Sequence, residues 1–133
     1  KIIFDVGHNT DSLKVFINYF KSIYLNYNKR YLVIGFEANK DIKGQLKFLY
    51  NYFDYITITE TQIRKSMGTK QLLTISIEQM SKIETNKNPQ KAINQYKDLL
   101  NSKDILVILG SHYFGPHVNK IFKNCLVHDN KNT

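Results

Sequence analysis

Apolar and polar positions along this chain follow two periods, and the period switches repeatedly. Lys1-Ile-Ile-Phe-Asp-Val6 is a short apolar run that predicts a buried strand. Gly7-His-Asn-Thr-Asp11 follows as a polar turn in which Thr10 and Asp11 are candidate helix caps. Leu13, Phe16, Ile17, Phe20, Ile23, Tyr24 and Tyr27 then fall at i, i+3, i+4, i+7 spacing, predicting an amphipathic helix that runs to Tyr27. Tyr31–Phe36 predicts a second strand. Asn39-Lys40-Asp41 caps a second helix with Ile42, Leu46, Leu49, Tyr50 and Phe53 on its buried face. Tyr55–Thr59 predicts a third strand, β-branched at most positions.

Glu60–Thr69 is polar and predicts irregular structure, and Lys70–Met80 fits a helix better than a strand. A brief strand is expected near Ile83. Asn88-Pro89 opens the next helix, with proline in the first turn, where its missing N–H costs nothing, and with Ala92, Ile93, Tyr96, Leu99 and Leu100 facing inward. Asp104–Leu109 predicts the most apolar strand, expected at the sheet centre, and Gly110–Pro116 a loop. Val118, Ile121, Phe122 and Cys125 form the last helical stripe. Strands alternating with amphipathic helices predict an α/β fold: a three-layer, Rossmann-like, open and mostly parallel sheet with helices on both faces. Ligands of such sheets bind outside the carboxyl ends of the strands, which directs attention to the loops Asp5–Asp11 and Gly110–His117. The domain is expected to span residues 1–127, followed by a polar tail at 128–133, and a start directly within a strand suggests a piece of something longer.

Composition narrows the classes. With 133 residues, 42% hydrophobic and 23% charged, one folded domain with its own core is expected. The single cysteine, Cys125, excludes an intrachain disulfide and a cysteine-rich zinc site; it lies on an apolar stripe and reads as core. The longest apolar run, Ile105–Leu109, is far too short to span a bilayer, so no membrane partner and a cytoplasmic location are expected. The net charge of +8 raises nucleic acid as a partner, but the excess is 17 Lys against 2 Arg, and the lysines are scattered. Arginine is the usual phosphate and base reader, and 16 Ile and 14 Asn point to A/T-rich codons as the source of the bias, so nucleic acid is not the expected partner.

Two constellations carry chemistry. In Asp5-Val-Gly-His-Asn-Thr-Asp-Ser12, a carboxylate at a strand end can take ribose hydroxyls or a metal, and His8 at a helix N-terminus can reach phosphate oxygens. The same spacing also allows Asp5 merely to satisfy loop N–H groups. A phosphatase of the haloacid dehalogenase type needs a second aspartate where Gly7 stands, so its general acid is missing. In Gly110-Ser-His-Tyr-Phe-Gly115, Ser111 and Tyr113 can present hydroxyls to a carboxylate or phosphate, or the loop can satisfy itself while Tyr113 or Phe114 packs. A phosphate loop of the form G-x-x-x-x-G-K-[ST] occurs nowhere, despite Met67-Gly-Thr-Lys70. His112 and His117 have no neighbouring third ligand, so no metal site is expected in this chain.

Together the segments resemble a known family. Asp5–Ser12 is similar to the D-x-A-H-N-P-x-S motif that opens the C-terminal domain of the Mur ligase superfamily. Gly35-Phe-Glu-Ala-Asn-Lys-Asp-Ile42 resembles G-x-x-x-D-K-D-I, and Ile108-Leu-Gly-Ser-His-Tyr113 resembles V-x-G-S-x-Y, both of the branch formed by folylpolyglutamate synthase and dihydrofolate synthase. The resemblance implies an ATP-dependent ligase that phosphorylates a pterin-linked carboxylate and passes the acyl phosphate to the amine of L-glutamate. By the motif match, Asp5 and His8 would contact ATP, with His8 near its phosphates as the catalytic residue, and Ser111 and Tyr113 would bind substrate. Lys40-Asp41 would cap helix two, though Lys40 could face an anion. The phosphate loop and the Mg²⁺ site would belong to a preceding central ATPase domain of the same chain. Partners implied are ATP with Mg²⁺, L-glutamate, and dihydropteroate or folate polyglutamate, in a monomer.

The departures are Thr10 for the usual proline, Val6-Gly7 for small residues, and Phe36-Glu37 for more apolar ones. They leave two alternatives open: another Mur-type amide ligase domain, or an inert nucleotide- or protein-binding module. Alone, the chain is expected to be inactive.

Overall fold

The computed structural model describes residues 1–5, 10–35, 42–60, 83–110 and 114–122. The strands are β1 (Ile2–Asp5), β2 (Arg30–Gly35), β3 (Tyr55–Thr59), β4 (Ile83–Asn86) and β5 (Ile105–Leu109). The helices are α1 (Thr10–Phe20), α2 (Ile42–Tyr50), α3 (Pro89–Lys97) and α4 (Gly115–Phe122), with a 3₁₀ turn at Tyr24–Asn26. The five strands form one sheet in the order β1-β5-β2-β3-β4, and every pairing is parallel. The expected α/β architecture is therefore present, with helices on both faces. On one face Leu13, Phe16, Ile17 and Phe20 of α1 and Leu46 and Leu49 of α2 close over Ile34, Ile58 and Leu109. On the other, Ala92, Ile93 and Tyr96 of α3 and Val118 and Phe122 of α4 close over Tyr31, Val33 and Ile108.

All five residues of β5 are fully buried, which is why this strand carries no polar alternation. It is internal, but β2 holds the middle of the sheet. Helix α1 stops at Phe20 rather than continuing to Tyr27. Lys21 N–H still reaches Ile17 O at 2.8 Å, but Ser22 N–H turns to Tyr19 O and Ile23 N–H to Phe20 O, both at 3.0 Å, and the Ser22 hydroxyl donates to Tyr19 O at 2.6 Å. That local tightening ends the helix. The apolar stripe keeps its purpose, since Ile23, Tyr24 and Tyr27 still pack on the core from the turn. Leu99 is the other departure: α3 ends at Lys97, and Leu99 beyond it is exposed. The expected loop Gly110–Pro116 is shorter, because Phe114 is buried in the α3/α4 core and α4 begins at Gly115. Val6, the caps at Asn39–Asp41, the Lys70–Met80 helix and Cys125 fall outside the described residues.

The amino ends of the strands are held by carboxylates. Asp104 is buried and accepts from Lys29 N–H at 3.2 Å and Asn101 N–H at 3.1 Å. Asp54 accepts from Arg30 N–H at 2.9 Å and from Arg30 Nε at 3.3 Å, while the guanidinium lies over the Tyr24 ring. No described helix is long and apolar enough to cross a membrane.

Between α3 and the sheet, the Tyr96 hydroxyl and Thr57 Oγ1 lie 2.6 Å apart, and Gln95 Nε2 donates to Thr57 Oγ1 at 3.0 Å. Burial pushes the Tyr96 phenol up to about 12, against the opposing pull of the Thr57 hydrogen bond. Its contribution to stability is thus complete below the ordinary phenol value of 10.0. It is lost as pH rises from there to about 12, because the unfolded chain gives up this proton first. The loss over that window is on the order of 2 kcal/mol. Tyr96→Phe is expected to flatten the alkaline limb of a melting-temperature profile against pH, and an unchanged slope would show that Tyr96 does not set it.

Candidate functional site

The carboxyl end of the sheet brings Asp5, Gly35, Thr59, Asn86 and Leu109-Gly110 to one rim, through the registers Asp5↔Leu109, Ile34↔Leu109, Gly35↔Thr59 and Thr59↔Asn86. Which part of the rim can take a ligand follows from where the chain goes next. From β1 and β2 it passes to α1 and α2 on one face, but from β5, which lies between them, it passes to α4 on the other. The connections after β5 and after both its neighbours therefore diverge. Divergence of this kind opens a crevice in doubly wound sheets.

Gly110 shapes that crevice. It has φ of 112°, and a Cβ placed on it would lie 2.0 Å from the carbonyl oxygen of Gly35. Only glycine allows the chain leaving β5 to cross the end of β2 so closely. Phe114 then anchors the far end of this short connection in the core, and Gly115 Cα sits beside the Phe4 ring with ordinary spacing for a Cβ, 3.9 Å.

Of the predicted site residues, Asp5 is placed at the end of β1, half-buried at the mouth of the crevice and engaged in interactions within the chain. Its position alternates with Phe4, so it belongs to the sheet face covered by α1 and α2, as does Leu109 beside it. His8 lies outside the described residues, between Asp5 and Thr10, and Ser111 and Tyr113 lie outside them between Gly110 and Phe114. The structure thus sets the anchors of both predicted loops at adjacent strand ends without describing those three side chains. Thr10 and Asp11 are within the first turn of α1 rather than at its cap, where the Asp11 charge complements the helix dipole. Among the described residues, no group of three or more His, Cys, Asp or Glu could hold a metal.

Two rim residues were not marked by the sequence. Gly35 was visible only as the first letter of a motif, and its crossing by Gly110 depends on β5 inserting beside β2. Thr59 looked like an ordinary β-branched strand residue, yet it is fully buried and its hydroxyl has no hydrogen-bond partner.

The family model described as "Mur ligase, glutamate ligase domain" matches residues 1–112. The chain belongs to this Mur ligase family. No curated protein matches it. Among solved structures, the domain is similar to Mycobacterium tuberculosis folylpolyglutamate synthase complexed with ADP, with a TM-score of 0.78 and 18% identity over 92% of this chain and 30% of that one. It is similar to the bifunctional folylpolyglutamate synthase/dihydrofolate synthase from Yersinia pestis, complexed with AMPPNP and Mn ion, with a TM-score of 0.75 and 21% identity over 90% of this chain and 28% of that one. E. coli FolC in complex with ADP gives a TM-score of 0.76 and 22% identity over 90% and 28%. At these identities the likeness is one of fold. The Mur ligase domain here spans less than a third of the length of each of these proteins.

Proposed function

We propose that this Mur ligase domain is the C-terminal part of a cytoplasmic, monomeric, ATP-dependent folate ligase that adds L-glutamate to dihydropteroate or folylpolyglutamate through an acyl phosphate. The observation that carries the reading is the crevice where the connection after β5 diverges from those after β1 and β2, because the superfamily motif starting at Asp5 and the two folate-branch motifs that contain Gly35 and Gly110 meet there. The residues at this rim fit a nucleotide's sugar or phosphate edge better than a complete nucleotide site. A carboxylate stands at the end of β1, and no phosphate loop occurs in the sequence. ATP, when bound, supplies the phosphoryl group that activates the acceptor carboxylate. In this reading Asp5 and His8 hold the nucleotide from the domain's side, and Ser111 and Tyr113 orient substrate. The Mg²⁺ ligands and the phosphate loop come from a central ATPase domain of the same protein. Closing such a site between two domains excludes water from an intermediate prone to hydrolysis.

This choice of branch is supported by the similar folds of a folylpolyglutamate synthase complexed with ADP and a bifunctional folylpolyglutamate synthase/dihydrofolate synthase complexed with AMPPNP. The family as a whole keeps a second reading in play: an amide ligase of another Mur type. Substrate dependence decides between them. Supplied with ATP, L-glutamate and dihydropteroate, the 133-residue chain alone is expected to release no ADP above the blank. Joined to its phosphate-loop domain, it is expected to release ADP only when both glutamate and a pterin substrate are present. Ligation by the chain alone would refute the division of labour, and pterin-independent turnover of the longer protein would refute the folate assignment.

A further inference from the structure

Thr57 and Thr59 are both fully buried on β3, but they differ in one respect. Thr57 Oγ1 is bonded to Tyr96 and Gln95, whereas Thr59 Oγ1 has no hydrogen-bond partner. A buried hydroxyl without a partner costs roughly 1–3 kcal/mol, so its presence calls for a reason. Its surroundings supply one. Thr59 shares a sheet face with Thr57, the face on which α3 packs, and stands one pleat nearer the carboxyl rim. Helix α3 follows β4 and runs back over the sheet, so Thr59 faces its amino-terminal turn, below the buried Pro89 and Ala92. Asn86 is the in-register neighbour of Thr59 on β4, so both side chains lie on the same face. The oxygen of the Asn86 amide accepts from Asn88 N–H at 3.0 Å, which identifies the other end of that amide as an NH₂ donor. The first turn of α3 contains no acidic residue, and Lys87 and Lys91 flank it.

We propose that Thr59, Asn86 and the amino-terminal turn of α3 form an oxyanion site, taking one carboxylate or phosphate group at the β3/β4 corner of the rim. Three donors are brought to this corner, the Thr59 hydroxyl, the Asn86 amide and the backbone N–H of Gln90 at the positive end of the helix, with the Glu84 carboxylate one pleat back from Asn86 on the same face. Lys91 N–H is already taken by the Asn88 side chain at 3.1 Å, which leaves Gln90 as the main-chain donor of this turn. The site lies two strands from the β5 crevice and does not depend on the ligase reading. Since the hydroxyl is covered in the free chain, entry of the anion requires the rim around it to part.

The isosteric variant Thr59→Val separates binding from folding. Glutarate and inorganic phosphate are titrated separately into the ¹⁵N-labelled 133-residue chain, and cross-peaks of Gln90 and of the Asn86 side-chain amide are followed. The two probes distinguish a carboxylate from a phosphate ligand. With at least one of them, saturable shifts are expected at both positions. Thr59→Val is expected to weaken that binding by about tenfold or more while melting at or above the wild-type temperature, and Thr59→Ser to stay within about threefold of wild type. Absence of saturable shifts with either probe, or equal binding by Thr59→Val, overturns the proposal. So does a marked drop in melting temperature in Thr59→Val, because it would mean that the hydroxyl has a structural partner.

Discussion

Gly110→Ala is expected to lower the stability of this domain by about 3 kcal/mol or more, enough to move its melting temperature by ~10 °C. Two independent costs combine. At φ of 112° an alanine is strained whatever space surrounds it. In addition, its Cβ would stand 2.0 Å from the carbonyl oxygen of Gly35, and a rigid strand backbone cannot yield as the tip of a flexible side chain could. Either the chain leaving β5 moves off the end of β2, or the β5–β2 ladder opens at Ile34↔Leu109. Gly115→Ala is the matched control. Among the described residues its Cβ would meet only the Phe4 ring, at ordinary contact distance, and alanine is the better helix former at the start of α4, so a gain of about 0.5 kcal/mol is expected. Urea titration of both variants measures the difference directly. If Gly110→Ala keeps the wild-type midpoint, the close crossing of Gly35 does not exist in solution.

The contrast between these glycines marks where sequence reasoning stops. Strand and helix identities were legible because burial imposes a period: the unbroken apolar run of β5, the i, i+3, i+4 spacing of Leu13, Phe16, Ile17 and Phe20, and the Asn88-Pro89 start of α3, whose side-chain cap on Lys91 N–H is present. Where α1 ends was not legible. Ile23, Tyr24 and Tyr27 keep the helical spacing but reach the core from a tightened turn, and a stripe records burial rather than backbone. Leu99 failed for the opposite reason: it prolongs the stripe of a helix that has already ended. At the rim, motifs located Asp5, Gly35 and Gly110 along the chain. Their convergence, however, depends on β5 entering between β1 and β2, a long-range choice that no local pattern encodes. Thr59 carries no motif at all; only the partnerless hydroxyl distinguishes it from Thr57.

In the ligase of full length, His8→Ala is expected to lower kcat by about 10- to 100-fold and to leave the melting temperature within about 1 °C of wild type. The magnitude is that of the one hydrogen bond to a phosphate oxygen that the proposed function gives His8, lost where charge is shifting during transfer. Stability should be indifferent because, in the proposed function, His8 serves the nucleotide rather than the core. Asp5→Asn supplies the complementary case. Asp5 stands on β1 and is engaged within the chain, so the amide keeps its size but loses acceptor strength. If Asp5 holds a ribose, the Michaelis constant for ATP should rise while kcat changes less, because that contact is equally strong before and during reaction. If instead Asp5 merely orders the turn into α1, Asp5→Asn should reduce stability and leave both constants for ATP near wild type. The pair therefore separates a residue that acts in the transition state from one that binds the nucleotide throughout. Wild-type turnover in His8→Ala would remove His8 from the reaction, while leaving the crevice and the Gly110 crossing as they stand.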